Sequence, residues 1–219
     1  MAVPVYQTIG VSPSGSNDSV VVTAPTGIAD NDILVAIIYA EPQTQGITPP
    51  TGFTSVALLQ EGTYSFKLEI FWKRAASESG NYTFTETGNT WGRGKIARIS
   101  GCITTGDPFD VVGADSTGTD DTAEALGVTT TVAETLLLYM SVNGDELTYT
   151  VPAGMTERSD TIGTYLATED RASAGATGGR TGTLSGANAW AAVLGALKPP
   201  AAGGIAIPIL TRQYRQRWS

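Results

Sequence analysis

The hydrophobic pattern of the chain is that of short β-strands separated by turns. Residues 33–39 are apolar at every position, which predicts a central strand covered on both faces. Residues 64–73 instead alternate apolar and polar side chains, as a strand with one buried face does. No segment of ordinary length favours a helix, and the ambiguous run 131–140 is interpreted as strand. We therefore expect an all-β fold.

The same succession of features occurs twice along the chain. Residues 33–39 are followed by a P-x-G-apolar-T segment at 50–54, and the apolar run 136–142 is followed by a second such segment at 152–156. Trp91 and Trp190 occupy corresponding positions further on, so we expect both to be core anchors. We interpret the pattern as an internal duplication with halves at about 20–101 and 125–198. The alternative is a chance similarity between two segments rich in Gly, Pro and Thr.

The duplication favours one domain rather than two, because half of a sandwich cannot bury its own inner face. We expect residues 1–198 to form a β-sandwich of jelly-roll type, built from two internally repeated four-stranded halves. Residues 104–122 are expected to link the halves over the surface, with residues 108–112 pairing briefly. Pro199 and Pro200 stop the sheet, because proline removes a backbone donor. Residues 199–219 then form an extended C-terminal docking arm.

The arm combines apolar, basic and aromatic residues of the kinds enriched at protein interfaces. It carries a charge of +3 and no Asp or Glu, so the net charge of −8 leaves −11 on the rest of the chain (−11 + 3 = −8). A disordered solubilising end is the alternative, but it fits the apolar residues poorly. The predicted partner-binding residues are Ile205, Ile207, Ile209, Leu210, Arg212, Tyr214, Arg215, Arg217 and Trp218.

Composition excludes several classes of function. The acidic body argues against nucleic-acid binding, and no apolar run approaches the ~20 residues of a membrane helix. The N-terminus has no signal-peptide pattern. With no histidine and one cysteine, Cys102, a Ser-His-Asp triad and a thiolate metal cluster are both ruled out. We expect Cys102 to be buried and inert, and we expect neither a cofactor nor a metal.

Acidic residues offer the remaining candidates for chemistry. A glycoside hydrolase needs two carboxylates, one of them buried enough to raise its pKa. The candidates lie at turns or, for Glu69, on a face expected to be solvated: Glu61, Glu69, Glu86, Asp145 and Glu146. Calcium could be bound at residues 30–32 or within 115–124, but turn chemistry explains these acids better. We therefore expect a protein that is not an enzyme.

A resemblance emerges from the order of these motifs. Residues 25–36 and 49–54, followed by Phe71-Trp72-Lys73-Arg74-Ala75 and Tyr82-Thr83-Phe84, resemble a pattern of bacteriophage and prophage virion structural proteins. That pattern reads approximately P-x-G-x-x-x-G-D-x-L-V-A and then P-P-x-G-W-T. The chain departs from it at Asn31 and Phe53. The resemblance covers roughly residues 20–198.

The resemblance implies a non-enzymatic component of the virion surface, made in the host cytoplasm. Capsid decoration is the leading expectation, and a head-fibre, tail-fibre or baseplate subunit is the alternative. The implied partners are the major capsid protein, other virion subunits and further copies of this chain. A carbohydrate-binding adhesion module for a host-surface glycan remains a separate hypothesis. The resemblance implies no catalytic residue.

Overall fold

The computed structural model describes residues 3–13, 15–44 and 46–201, and these residues are all-β. The strands form several antiparallel sheets, consistent with a β-sandwich. The predicted fold class is therefore correct at this level. The prediction of four-stranded halves is wrong, because the two large sheets contain seven and six strands.

The first large sheet is built entirely from residues before 101. Its strands follow the order β1-β7-β3-β6-β5, with β2 and β4 also paired to β7. The strands are β1 (Val5–Val11), β2 (Gly15–Val22), β3 (Ile33–Glu41), β4 (Ile47–Thr48), β5 (Thr54–Glu61), β6 (Phe66–Arg74) and β7 (Tyr82–Ser100).

The second large sheet is built from residues after 108 and follows the order β14-β15-β12-β18-β8, with β9 also paired to β18. Two smaller sheets, β10-β17-β13 and β11-β16, accompany it. The strands are β8 (Phe109–Val112), β9 (Ser116–Gly118), β10 (Thr122–Ala125), β11 (Thr129–Thr130), β12 (Thr135–Asn143), β13 (Tyr149–Thr150), β14 (Thr156–Thr161), β15 (Thr164–Arg171), β16 (Gly175–Ala176), β17 (Arg180–Leu184) and β18 (Trp190–Leu197).

Three apolar cores hold these layers together. The central core lies between the two large sheets and takes side chains from both, including Ile37 of β3 and Leu138 of β12. One outer core covers the far face of the first sheet, and the other covers the far face of the second sheet. Each half therefore has its own outer core and shares the central one.

The two central strands were correctly predicted to be covered on both faces. Along β3, Ile33 and Ile37 point into the central core, and Leu34 and Ile38 into the outer core. The strand β12 behaves in the same way, with Leu138 in the central core and alternate residues in the outer one. A strand packed on both faces needs a nearly continuous apolar run, broken in β12 only by the buried Ser141, which is why the sequence pattern identified both.

The P-x-G-apolar segments form matching turns. The amide of Phe53 donates to the carbonyl of Pro50 at 3.2 Å, and the amide of Met155 donates to that of Pro152 at 3.1 Å. Gly52 and Gly154 adopt φ values of +91° and +80°. Only glycine adopts such a conformation without strain, so each glycine fixes a bend of the type II class.

Two segments form strands although their composition favours loops. Residues 88–94, which include three glycines, lie within β7, which runs without interruption from Tyr82 to Ser100. Residues 104–122 were expected to link the halves over the surface, with residues 108–112 pairing briefly; β8 does pair with β18, and β9, which was not expected, pairs with it as well. Both segments are rich in Gly and Thr, and neighbouring strands supply the pairing that local propensity does not.

Candidate functional site

The predicted docking residues, 205–218, lie outside the described residues. The structure does describe where the arm begins. The strand β18 ends at Leu197, and the next residue remains tied to the body: the amide of Lys198 donates to the carbonyl of Pro108 at 2.9 Å. Ala201 is exposed. The arm therefore starts at one end of the sandwich, here called the linker end, where residues 101–108 join the two halves.

The linker end is fixed by contacts to both halves. The guanidinium of Arg74, in the first half, donates to the carbonyls of Ile103 and Gly106. The amide of Ile103 in turn donates to the carbonyl of Lys198, at the end of the second half. These bonds hold the link and the root of the arm against one another.

A narrow crevice of about 110 Å³ opens at the same end. It lies where the start of β1 meets the start of β12 and the end of β15. The lining residues come from both halves: Val3, Pro4, Glu134, Thr135, Asp170 and Arg171. Leu197 pairs with Leu136, and Leu136 pairs with Asp170, so only β12 separates the root of the arm from the crevice.

The opposite end of the sandwich, here called the Trp91 end, exposes two large aromatic side chains. Trp91 is 45% exposed and Tyr64 is 47% exposed. Trp91 lies opposite Glu41 in the sheet, and the amide of Gln43 donates to the carbonyl of Ser65, next to Tyr64. The two aromatic residues therefore flank the end of β3, where the carboxylate of Glu41 accepts a hydrogen bond from the Tyr39 hydroxyl at 2.9 Å.

The prediction that Trp91 is a core anchor is wrong, whereas the same prediction for Trp190 is correct. Trp190 is 5% exposed, and its indole Nε1 donates to Asp120 Oδ1 at 3.0 Å. The register explains the difference. Ile99 on β7 and Leu197 on β18 both face the central core. Side chains alternate along a strand, and Trp91 is an even number of residues from Ile99, so it points toward the second sheet. Trp190 is an odd number of residues from Leu197, so it points into the outer core. Beyond the central core, Trp91 meets solvent.

Arg93 joins the two halves near the Trp91 end. Its side chain is buried and lies 4.0 Å from the centre of the Tyr39 ring. Its guanidinium donates to the carbonyl of Asn143 and, at 3.2 Å, to Glu146. Sequence reasoning missed this residue, because an arginine in a Gly-rich stretch gives no signal of burial.

Lys95 makes a second polar connection between the halves. It is fully buried, and its ammonium donates to Ser159 Oγ at 2.7 Å and to the carbonyl of Thr164 at 2.6 Å. Burial lowers the pKa of this ammonium to about 7, against the attraction of Asp160 and Glu157. A buried amine with satisfied hydrogen bonds serves the packing of the two sheets and is closed to solvent.

Three of the carboxylates considered for catalysis take part in a turn or in contacts that hold the loops in place. Glu61 accepts the amides of Thr63 and Tyr64 and so closes the β5–β6 turn. Glu146 pairs with Arg93, and Asp145 accepts a bond from the Asn188 amide at 2.7 Å.

Glu69 and Glu86 are less solvated than the sequence predicted. Glu69 was expected to be solvated, but its side chain is largely buried. Burial raises the pKa of its carboxyl, and the hydrogen bond from Ser55 opposes this shift. Glu86 lies inside β7 rather than at a turn, and burial raises its pKa to about 7 against the attraction of Lys67. Both carboxyls belong to the first half and are spatially associated with Lys67.

The two acidic loops behave as turns. Asp32 binds Arg98 and the amide of Ala29, and Asp30 accepts the amide of Ser77. Asp120 accepts bonds from Thr122 and Trp190, which lower the pKa of its carboxyl. Across the described ranges, no three acidic, histidine or cysteine residues are grouped as a metal site would require. Cys102 is buried as predicted, and burial raises the pKa of its thiol to about 12.

Within the part of the chain that the structure describes, no helix is long and apolar enough to cross a membrane. Compared with known proteins, the chain matches no family model, and no curated protein or solved structure is significantly similar to it.

Proposed function

We propose that this protein is a non-enzymatic structural subunit of a bacteriophage particle, most directly a capsid decoration protein that attaches through its C-terminal arm. The observation that carries the proposal is the exposed root of the arm at Ala201, on a body whose buried charges are used for packing. The partners are the major capsid protein, other virion subunits or further copies of this chain. A tail-fibre or baseplate subunit is the alternative position. The protein resides in the virion and binds neither nucleic acid nor membrane.

The polar interior supports a structural role. Arg93 and Lys95 connect the two halves, because each donates a hydrogen bond from its buried side chain to a backbone carbonyl of the second half. Such groups orient one layer on another. A decoration protein needs this rigidity, because it must hold a fixed shape on the particle surface.

We also propose that the halves are copies of one jelly-roll unit, as the sequence repeat suggests. The bulges support this proposal. The β5–β6 ladder shifts register between Ser55 and Ala57, and the β14–β15 ladder shifts between Glu157 and Ser159. The β1–β7 ladder shifts after Tyr6, and the β18–β8 ladder shifts after Phe109. Bulges are retained within families, so matching positions favour duplication.

The strand order supports the same proposal. If the long strand β7 is counted as two, its first part is the seventh strand of the first half and its second part is the eighth. One layer then contains the first, eighth, third and sixth strands, and the other contains the second, seventh and fourth. That is the order of a jelly roll, except that the fifth strand lies beside the sixth. The second half repeats it, with β8-β18-β12-β15 in one layer and β10-β17-β13 in the other. Each half would then be one jelly roll, rather than the whole body.

Deleting residues 202–219 tests the proposed attachment. We expect the melting temperature to stay nearly unchanged and incorporation into phage particles to be lost, measured by the amount of protein that co-sediments with them. Deletion of Ser219 alone is the control, because it shortens the chain without removing any of the predicted partner-binding residues, and it should leave incorporation unchanged. Normal occupancy of the 202–219 deletion on particles would refute the attachment.

Binding of a host-surface glycan is a second candidate function, favoured by the exposure of Trp91 and Tyr64. Sugar rings stack their C–H faces on exposed aromatic rings, and carboxylates such as Glu41 accept bonds from hydroxyl groups. The two aromatic residues lie at the Trp91 end, opposite the root of the arm. A subunit attached through the arm would present this end outward.

Titration with soluble polysaccharide from the surface of the host tests the glycan hypothesis. Trp91→Ala and Tyr64→Ala should each weaken binding, measured by calorimetry and by quenching of tryptophan fluorescence. Leu58→Ala is the matched control, since Leu58 is an exposed apolar residue of the edge strand β5. Absence of binding by the wild-type protein would exclude that polysaccharide as a ligand, and equal binding by all three variants would exclude the Trp91 end.

A further inference from the structure

The crevice at the linker end combines exposed acidic and apolar groups. Glu134 and Asp170 are exposed, and neither forms an ion pair within the described ranges. The one cation of the lining, Arg171, is bound to Glu169 at 2.9 Å. The rim of the crevice therefore keeps two carboxylates available to a basic ligand.

The edge of the first sheet beside the crevice is unusually apolar. Val3 and Val5 are 36% and 45% exposed. The strand β1 pairs only with β7 in the described part of the chain, and residues 5–11 contain no charged side chain. Edge strands are commonly protected by charges against pairing with another chain. The end of β1 is covered, because the Thr23 amide donates to the carbonyl of Val11 at 3.4 Å, and Arg158 lies over the Tyr6 ring. The start of β1, at Val5, carries no charge of its own.

We infer that this surface, the crevice with the start of β1, receives the C-terminal arm of a second copy of the chain. The inference rests on the proposed role of the arm in assembly and adds the surface on which the arm docks. The apolar residues Ile205, Ile207 and Ile209 match Val3 and Val5, and an extended segment can add to a sheet edge through its backbone. The arginines that follow, Arg212, Arg215 and Arg217, complement the two carboxylates.

The root of the arm favours a second copy over docking on the same molecule. Lys198 still bonds to Pro108, so the chain leaves the sheet along the direction of β18. Pro199 and Pro200 then hold the backbone extended, advancing about 3.1 Å per residue if they adopt polyproline geometry. The crevice lies on the other side of β18, beyond β12, whereas Pro108 precedes β8, so the described root of the arm is tied to the side of β18 that faces away from the crevice of its own molecule.

Charge reversal in the full-length chain tests the inference. The first variant is Glu134→Lys with Asp170→Lys, the second is Arg212→Glu with Arg215→Glu and Arg217→Glu, and the third combines both sets. Self-association is measured by sedimentation equilibrium at low and high salt. Each separate variant should associate about tenfold more weakly or worse, and the combined variant should recover much of the loss. Asp115→Lys with Asp121→Lys is the control, because it reverses two exposed carboxylates elsewhere and changes the net charge equally.

The possible outcomes separate this inference from the proposed function. If reversal in the arm weakens association and reversal in the crevice does not, the arm binds elsewhere and the crevice is excluded. If the wild-type chain stays monomeric at all concentrations, docking on a second copy is wrong, although attachment of the arm to a capsid protein can still hold. If crevice reversal and the control weaken association equally, the effect is one of net charge and the inference falls.

Discussion

Lys95 on β7 and Thr164 on β15 connect the two halves of the chain through a hydrogen bond of 2.6 Å from the ammonium to the backbone carbonyl. The lysine is fully buried, so its charge has no access to water. Its protonation is therefore coupled to the stability of the sandwich.

The first prediction concerns this coupling. The pKa of Lys95 is lowered from 10.5 to about 7 in the folded protein. Between these values the unfolded chain binds more protons than the native one, so the free energy of unfolding should rise with pH above 7, by at most ~1.4 kcal/mol per pH unit. Lys95→Met should abolish that rise, measured by urea unfolding at pH 7 to 9.5. A Lys95→Met protein with the wild-type rise would contradict the prediction.

Glu86 gives the opposite dependence at lower pH. Its pKa is raised from 4.5 to about 7, so the native protein binds more protons than the unfolded chain between these values. Stability should therefore fall as pH rises from 4.5 to 7. Glu86→Gln should flatten this part of the profile while leaving the rise due to Lys95 intact. Urea unfolding between pH 4.5 and 7 provides the measurement, and an unchanged slope in Glu86→Gln would assign the fall to other groups.

The third prediction concerns Arg93. Replacing it with alanine leaves the buried carbonyl of Asn143 unsatisfied and removes the cation from the Tyr39 ring, so the cost should be about 3–5 kcal/mol in the free energy of unfolding. Glu146→Ala is the control. The Glu146 side chain is 39% exposed, and pairs of that kind contribute at most about 1 kcal/mol. Similar losses for both variants would show that Arg93 does not stabilise the junction as described.

The two tryptophans provide a matched comparison. Trp190→Ala should destabilise the protein by about 3–5 kcal/mol, because it empties part of a packed core. Trp91→Ala should change stability by less than about 0.5 kcal/mol, since Trp91 is exposed. Denaturant unfolding of both variants distinguishes the positions. A large loss for Trp91→Ala would mean that its ring is buried in solution.

The last prediction is that neither half folds alone. The central core takes side chains from both large sheets, so separation exposes an apolar face of each. Fragments 1–104 and 105–198 should each give poorly dispersed amide NMR spectra, and refolding them together should restore the spectrum of the intact body. Well-dispersed spectra from separate monomeric fragments would refute a single cooperative unit.

Local pattern and turn chemistry determined a large part of this fold. The apolar runs at 33–39 and 136–142 identified the two central strands, because a strand buried on both faces tolerates few polar residues. Gly52 and Gly154 marked the two bends, because the backbone there requires a positive φ. The burial of Cys102 followed from its apolar neighbours. These features depend on residues close together in the chain.

Only the tertiary structure decided the positions that bear on function. The exposure of Trp91 depends on the register of β7 against β3, and a shift of one residue reverses the face of every side chain. The burial of Arg93 and Lys95 depends on where the second sheet packs on the first. The crevice brings Val3 next to Glu134 and Asp170, which are far apart in the sequence. Such contacts follow from the packing of distant segments, which no local pattern encodes.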